Sequence, residues 1–377
     1  MVNERDTQYL LLTPGPLSTT RTVREAMMQE HSTRDVDYNS IVQSIRERLV
    51  RLATNDTARH TAALMPGSGT FAVESVIGSV IPPDGKLLVL NNGAYGARIT
   101  KISQMLGIDT VELGQAEIES TDLGQAEKIL TEDPAITHVA MVHCETTTGM
   151  LNPADAVGKL VRRLGRVFIL DAMSSFGGIP MSMESTGAHY LISSANKCVQ
   201  GVPGFGFVVA DRATLEATKG WARSHSLDLF DQWREMEAKG GKWRFTSPTH
   251  VVSAFARALD ELEAEGGVNA RHARYAANQQ TMVEGMRRIG FRTLIGDEVQ
   301  SPIITSFYYP DAAEFEFQKF YDALKSLGFV IYPGKVSHAQ CFRIGSIGDV
   351  HPEDMTELVG HVAKVLEEMG VNLVVSG

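Results

Sequence analysis

Two side chains and one turn of this 377-residue chain have the types and settings that covalent chemistry requires. Asp171 ends the apolar run Val167-Phe168-Ile169-Leu170, and Lys197 follows the next short apolar run, Tyr190-Leu191-Ile192. Gly67-Ser68-Gly69-Thr70 leads from an extended segment into the helical run Phe71 to Ile81. Amides and hydroxyls at such a helix N-terminus suit a phosphate, and the helix dipole favours the negative charge. A carboxylate at a strand end is costly to bury unless it caps a helix or meets a cation. A lysine in that position is either a solvated charge or a nucleophile. The turn lacks the Gly-Lys-Ser/Thr ending of a nucleotide-binding loop, and taken singly it can equally be a helix cap.

Jointly, the three describe one flat ligand. A lysine that forms a Schiff base, a carboxylate that keeps a pyridine nitrogen protonated and a phosphate turn are what pyridoxal phosphate needs to act as an electron sink. Tyr95, beyond Asn91-Asn92-Gly93, either stacks on such a ring or packs its own loop. Arg343 is centred in the apolar, strand-like Cys341-Phe342-Arg343-Ile344-Gly345. An arginine there must meet a protein carboxylate or a substrate anion, and the residues leave both open.

Positioning these groups requires a framework. Helices are expected at 19–29 and 40–53, a strand over Ala62 to Met65, and then the turn and its helix. Further strands are expected at Lys86 to Leu90, Thr137 to Val142, Val167 to Leu170, Tyr190 to Ile192 and Gly206 to Ala210, with helices at Arg98 to Leu106 and Ala154 to Leu164. Short, nearly continuous apolar strands alternating with helices predict an α/β fold with a mostly parallel sheet covered on both faces. The polar and Gly-rich residues cluster at strand ends, where open α/β sheets bind ligands. A long helix over 248–265 ends at Gly266-Gly267. A smaller α+β C-terminal domain follows, with strands near 302–308, 328–332 and 341–345 and helices at 312–326 and 352–369. The predicted division is 1–16 associated with the small domain, 17–255 as the large domain and 256–377 as the small one.

The net charge of −10, with acids and bases interspersed, argues against nucleic acid or an anionic membrane as partner. The N-terminus has no apolar leader, and no apolar run is long enough to span a membrane. Three scattered cysteines form no disulfide framework, so a cytoplasmic protein is expected. No metal is called for.

The motifs Thr13-Pro14-Gly15-Pro16, Gly67-Ser68-Gly69-Thr70, Asn92-Gly93-Ala94-Tyr95-Gly96, Glu145-Thr146-Thr147-Thr148-Gly149, Asp171-Ala172-Met173-Ser174-Ser175, Asn196-Lys197 and Phe342-Arg343-Ile344-Gly345 occur in an order that resembles the class V, fold-type I pyridoxal-phosphate aminotransferases. The longer stretches 141–153, 171–180, 192–204, 242–250 and 331–335 are more specific. They resemble the phosphonate-handling members of that class, and the likeness spans about residues 9 to 350.

The resemblance implies a fold-type I large domain and transfer of the amino group of 2-aminoethylphosphonate to pyruvate, giving phosphonoacetaldehyde and alanine. It implies Lys197 as the Schiff-base lysine, Asp171 on the pyridine nitrogen, Tyr95 stacked on the ring and Thr146 beside the ring oxygen. Ser68, Gly69, Thr70 and Asn196 would serve the phosphate, with Thr246 from the other subunit of a homodimer that shares its active sites. Arg343 would take the substrate's acid group, with the Pro14-Gly15 backbone alongside. An alanine–glyoxylate or serine–pyruvate enzyme of the same class is the alternative. A cysteine desulfurase would need a mobile nucleophilic Cys, whereas Cys341 lies inside the presumed strand. A non-enzymatic protein on this fold would have no use for the Lys197 and Asp171 pair.

Three tryptophans fall near arginines in 221–243: Trp221/Arg223, Trp233/Arg234 and Trp243/Arg244. The expectation is either cation–π packing at a subunit interface or an Arg reaching the neighbouring site.

Overall fold

Seven strands form the central sheet of the computed structural model, which describes residues 7–334, 336 and 339–373. In chain order they are β1 (His60–Gly67), β2 (Lys86–Asn91), β3 (Asp109–Gly114), β4 (Ile136–Val142), β5 (Val167–Asp171), β6 (Tyr190–Ser194) and β7 (Gly204–Asp211). In space they run β1-β7-β6-β5-β4-β2-β3. β7 is antiparallel to both neighbours, and every other pairing is parallel.

Alternation along the strands explains why the sheet is covered twice. Leu88, Leu90, Val139, Met141, Phe168, Leu170 and Leu191 pack into one core. Their chain neighbours Leu87, Val89, Ala140, Val142, Ile169, Tyr190 and Ile192 pack into another on the opposite face. Successive strand side chains point to opposite sides, so a strand that is apolar at every position must be buried on both. Helices Val36–Ala53, Ala154–Arg163 and Thr249–Glu265 contribute to the first core, and Gly69–Val80 and Ala94–Met105 to the second.

The smaller unit is built around an antiparallel sheet, ordered Ile304–Tyr308, Cys341–Gly345, Tyr332–Pro333. Helices Gly267–Ile289 and Pro352–Glu368 pack against each other there, burying Met282, Met286, Phe307, Phe342 and Leu358. The N-terminal segment joins it: Leu10–Leu11 pairs in parallel with Phe329–Val330, and Leu10 and Leu12 lie in the same core. The expected division after residue 255 falls inside the helix Thr249–Glu265, whose Ala258 and Leu259 pack in the large-domain core.

Several elements differ from expectation. Strand β3 and helices Leu123–Glu132, Leu229–Ala238 and Gly267–Ile289 were not foreseen. β3 is an edge strand of alternating polar and apolar residues, most of them exposed or half-buried, so it lacks the apolar run of its neighbours. The helix expected from Arg98 begins at Ala94, which places Tyr95 in its first turn rather than in a loop. The Trp–Arg sequence pairs do not stack on one another. Arg212 lies over Trp233, Arg234 over Phe230 and Arg244 over Phe245, while Trp243 packs edge-on against Phe205. Arg223 instead donates to the carbonyls of Ile81 and Pro82, just past the helix Gly69–Val80. Among the described residues no helix is long and apolar enough to cross a membrane.

Candidate active site

Five strands deliver their carboxyl ends to one edge of the sheet. β1 ends at Gly67, β2 at Asn91, β4 at Val142, β5 at Asp171 and β6 at Ser194, and each is followed at once by residues of interest. The register fixes their alignment, since Asp171 lies opposite Val142 on one side and Ile192 on the other. The Thr146 loop, the Asp171 carboxylate and the Lys197 turn therefore leave three adjacent strands at one level.

Here a cleft of about 500 Å³ opens, lined by Ser68, Gly69, Thr70, Tyr95, Asn196 and Lys197, with Arg98, Met173, Ser194 and Gly204. Ser68 precedes the helix Gly69–Val80, and its hydroxyl makes no cap hydrogen bond. The Phe71 and Ala72 amides turn back to Ser68 O, whereas the Gly69 and Thr70 amides have no intrahelical acceptor and are the donors the turn presents to the cleft. A side chain at Gly69 would press on the end of the Met173 side chain, which would have to move aside. Asn196 accepts a hydrogen bond from Ser194 Oγ at 3.1 Å, which orients its amide.

Asp171 is 5% exposed and, among the described residues, accepts a single hydrogen bond, from the Met173 amide at 2.9 Å. It caps no helix, because the next helix starts only at Met183. Burial pushes its carboxyl up to about 6, raised further by Glu145 and held back by the Met173 amide, Lys197 and Arg98. A buried carboxylate so thinly supported is a place for a cation. Lys197 is half-buried, and its Nζ donates to Pro14 O at 2.6 Å. Burial lowers its pKa and so favours the neutral, nucleophilic amine. Gly15 has φ +116°, and a Cβ there would lie 2.8 Å from that Nζ and 3.0 Å from the Asn196 carbonyl, so the backbone conformation and the close approach together call for a glycine. The Gly15 amide itself is taken by Thr13 Oγ1 at 3.2 Å.

Thr146 is 1% exposed, and among the described residues its hydroxyl has no hydrogen-bond partner. A buried hydroxyl left unpaired is unusual enough to require an explanation, and a ligand's oxygen supplies one. Its carbonyl accepts from Arg343 Nη1 at 2.8 Å, and Arg343 Nε donates to Pro333 O at 2.9 Å. Arg343 is 2% exposed and lies over the Tyr332 ring, and among the described residues no carboxylate pairs with it. Thr246 is exposed and lies outside the cleft of its own chain. Of the motif at 331–335, Lys335 lies outside the described residues.

Two contributors escaped the sequence reading. Arg98 donates to Thr70 Oγ1 at 3.2 Å and lies 4.9 Å from the Tyr95 ring centroid, joining the phosphate turn to the aromatic. Its place three residues after Tyr95 on one helix was the available signal. Glu145 is fully buried, and its carboxylate receives the Tyr95 amide and the Thr147 amide and hydroxyl.

A phosphate turn, a ring-sized cleft, an under-supported carboxylate, an activated amine and an unpaired arginine make a site for amine chemistry on an anionic substrate. Residues 21–329 match the sequence profile of the family described as Aminotransferase class-V. The chain is 59% identical to the 2-aminoethylphosphonate–pyruvate transaminase of Syntrophobacter fumaroxidans, covering 96% of this chain and 97% of that one. It is 58% identical to the enzyme of the same name from Vibrio vulnificus, covering 95% and 98%. The solved ureidoglycine–glyoxylate aminotransferase of Bacillus subtilis superposes with a TM-score of 0.90 at 21% identity, covering 99% of this chain and 96% of that one, which shows a shared fold. The chain belongs to the class-V aminotransferases.

Proposed function

We propose that the protein is a pyridoxal-phosphate enzyme that transfers the amino group of 2-aminoethylphosphonate to pyruvate. Arg343, a buried guanidinium with no carboxylate of its own at the edge of an amine-handling site, is the observation that carries an acid-bearing substrate. The phosphonate rests on relatives of 58–59% identity that bear that name. The alanine–glyoxylate alternative has no comparable support.

The residues fit the cofactor. Thr146 Oγ1, buried and unpaired, suits the ring hydroxyl, and Asp171 suits a protonated ring nitrogen. The donors at Ser68, Gly69 and Thr70 suit the phosphate, with Asn196 beside them. When bound, pyridoxal phosphate supplies an electron-withdrawing ring conjugated to the carbon that exchanges its amine. The protein's own residues do the rest. Lys197 would hold the cofactor through its amine, and that amine, when free, would be the base placed to move a proton at the substrate carbon. Asp171 holds a proton on the ring nitrogen by its charge. Tyr95 sets the plane of the ring, Arg343 receives the substrate's acid group, and Pro14-Gly15 closes the site beside Lys197.

The reading includes a cytoplasmic homodimer in which Thr246 of each copy completes the other's phosphate site. The exposed Thr246 and its 45%-exposed neighbour Phe245 support the pairing, and three buried cysteines joined in no disulfide support a reducing compartment.

The test is a donor screen with the purified protein, following alanine formation from pyruvate. Turnover of 2-aminoethylphosphonate is expected. If that donor is inert while serine or alanine reacts with glyoxylate, the substrate assignment fails and the family assignment stands.

A further inference from the structure

At Gln200 the backbone adopts φ +68°, the only left-handed value at a non-glycine among the described residues. Glycine takes this conformation freely and other side chains resist it, so a glutamine here needs a reason. The conformation closes the turn that carries Lys197. The Gln200 amide donates to Lys197 O at 2.7 Å, and the Gly201 amide returns to Ala195 O at 2.9 Å.

The side chain supplies the reason. Gln200 is 3% exposed, and its Nε2 donates to Tyr275 Oη at 2.7 Å and to Gly348 O at 2.6 Å. Tyr275, wholly buried, donates in turn to Cys198 O at 3.2 Å. A second set of bonds runs in parallel. Glu265 binds Arg271 at 2.5 Å and Arg274 at 2.8 Å. Arg271 donates to Cys198 O and Arg274 to Gly348 O, each at 2.8 Å. Arg271, Arg274 and Tyr275 share one face of the helix Gly267–Ile289, as spacings of three and four dictate. One end of this network is the residue after Lys197. The other is the loop directly after the strand Cys341–Gly345, which carries Arg343.

We propose that Gln200 is a positioning residue. By tying the Lys197 turn to the Gly348 loop, it sets the spacing between the reactive amine and the Arg343 guanidinium, and so measures the length of the amino donor. The proposal rests on the reading of Arg343 as the acid-binding side chain. A glycine at 200 would keep the backbone without strain and remove both side-chain bonds. An asparagine tolerates the left-handed region but is one methylene too short to reach the same partners.

The experiment compares the parent holoenzyme with Gln200→Gly and Gln200→Asn. KM and kcat are measured for 2-aminoethylphosphonate and for 3-aminopropylphosphonate, one methylene longer. The pH midpoint of the bound-cofactor absorbance and the melting temperature are recorded alongside. Both variants should raise KM for the shorter donor about tenfold while kcat changes less than about threefold, and discrimination between the two donors should shrink. The absorbance midpoint should also shift, because the environment of Lys197 is no longer fixed.

Parent-like KM values, donor ratio and midpoint in both variants would overturn the proposal. So would a parent-like Gln200→Asn beside an altered Gln200→Gly, since backbone conformation alone would then be at stake. A lowered melting temperature with unchanged KM and midpoint would make Gln200 merely structural and also overturn it. If the parent uses neither phosphonate, the substrate reading fails, and the absorbance midpoint still decides whether Gln200 acts on Lys197.

Discussion

β4 and β5 lie side by side, and at the end of each a carboxylate is buried, with opposite consequences. Glu145, three residues past β4, collects the Tyr95 amide at 3.1 Å, the Thr147 amide at 3.2 Å and the Thr147 hydroxyl at 2.8 Å. Asp171, the last residue of β5, collects one amide. Burial raises the pKa of both, but only Glu145 has donors on both of its oxygens. The arginines repeat the contrast. Arg46, 3% exposed, is paired with Glu237 at 2.7 Å, whereas Arg343, 2% exposed, donates to two carbonyls and lies over the Tyr332 ring, with no carboxylate beside it among the described residues. A buried charge whose partners lie within the fold holds the structure together. One left short of partners is waiting for a ligand.

The largest effect that would break this comparison is expected at Asp171. Asp171→Asn should lower kcat/KM about 10³-fold, because neutral Asn cannot hold a proton on the ring nitrogen. The cofactor-free protein carries a pH signature of the same residue. Its folded pKa of about 6 lies above the ordinary 3.8, so the native state keeps a proton that the unfolded state has lost between those values. Stability should therefore fall as pH rises through that window, by about 3 kcal/mol from this group. Urea unfolding of the cofactor-free protein at several pH values should show the decline, and Asp171→Asn should lack it.

Arg343→Gln should raise KM for the acid-bearing donor about 100-fold. Its melting temperature should fall only modestly, because two hydrogen bonds to carbonyls are lost but no carboxylate is orphaned. A large loss of stability would show Arg343 to be structural after all. Glu145→Gln should behave the other way. Whichever way the amide turns, its NH₂ faces a backbone donor, so unfolding should become easier by about 2 kcal/mol. Smallest is Thr146→Val, which should change unfolding free energy by less than about 0.5 kcal/mol and weaken cofactor binding about fivefold in a fluorescence titration.

Much of the large domain was legible because its strands are local statements. Val167-Phe168-Ile169-Leu170-Asp171 announces a doubly buried strand and its exit within five residues. Lys197 and the Gly67-Ser68-Gly69-Thr70 turn were readable for the same reason. β3 was not, because Asp109-Thr110-Val111-Glu112-Leu113-Gly114 owes its place to pairing with β2 rather than to its own apolarity. The role of Glu145 is not readable from the motif 145–149, since its partners at 93–96 and 147 meet only once β2 and β4 are adjacent. The spacing of Arg98 from Tyr95 is visible in the sequence, but its bond to Thr70 Oγ1 is made only in the fold.

The sequence by itself determined which chemical groups exist and at which strand ends they emerge, because hydrophobic periodicity and turn chemistry act over a few residues. Tertiary structure alone decided which charges would be left short of partners. Arg343 reaches the Thr146 carbonyl across 197 residues, and Gln200 reaches Gly348 across 148. Hydrogen-bond partners so distant in the chain are supplied only by packing, and packing separates the carboxylate that anchors from the one that can act.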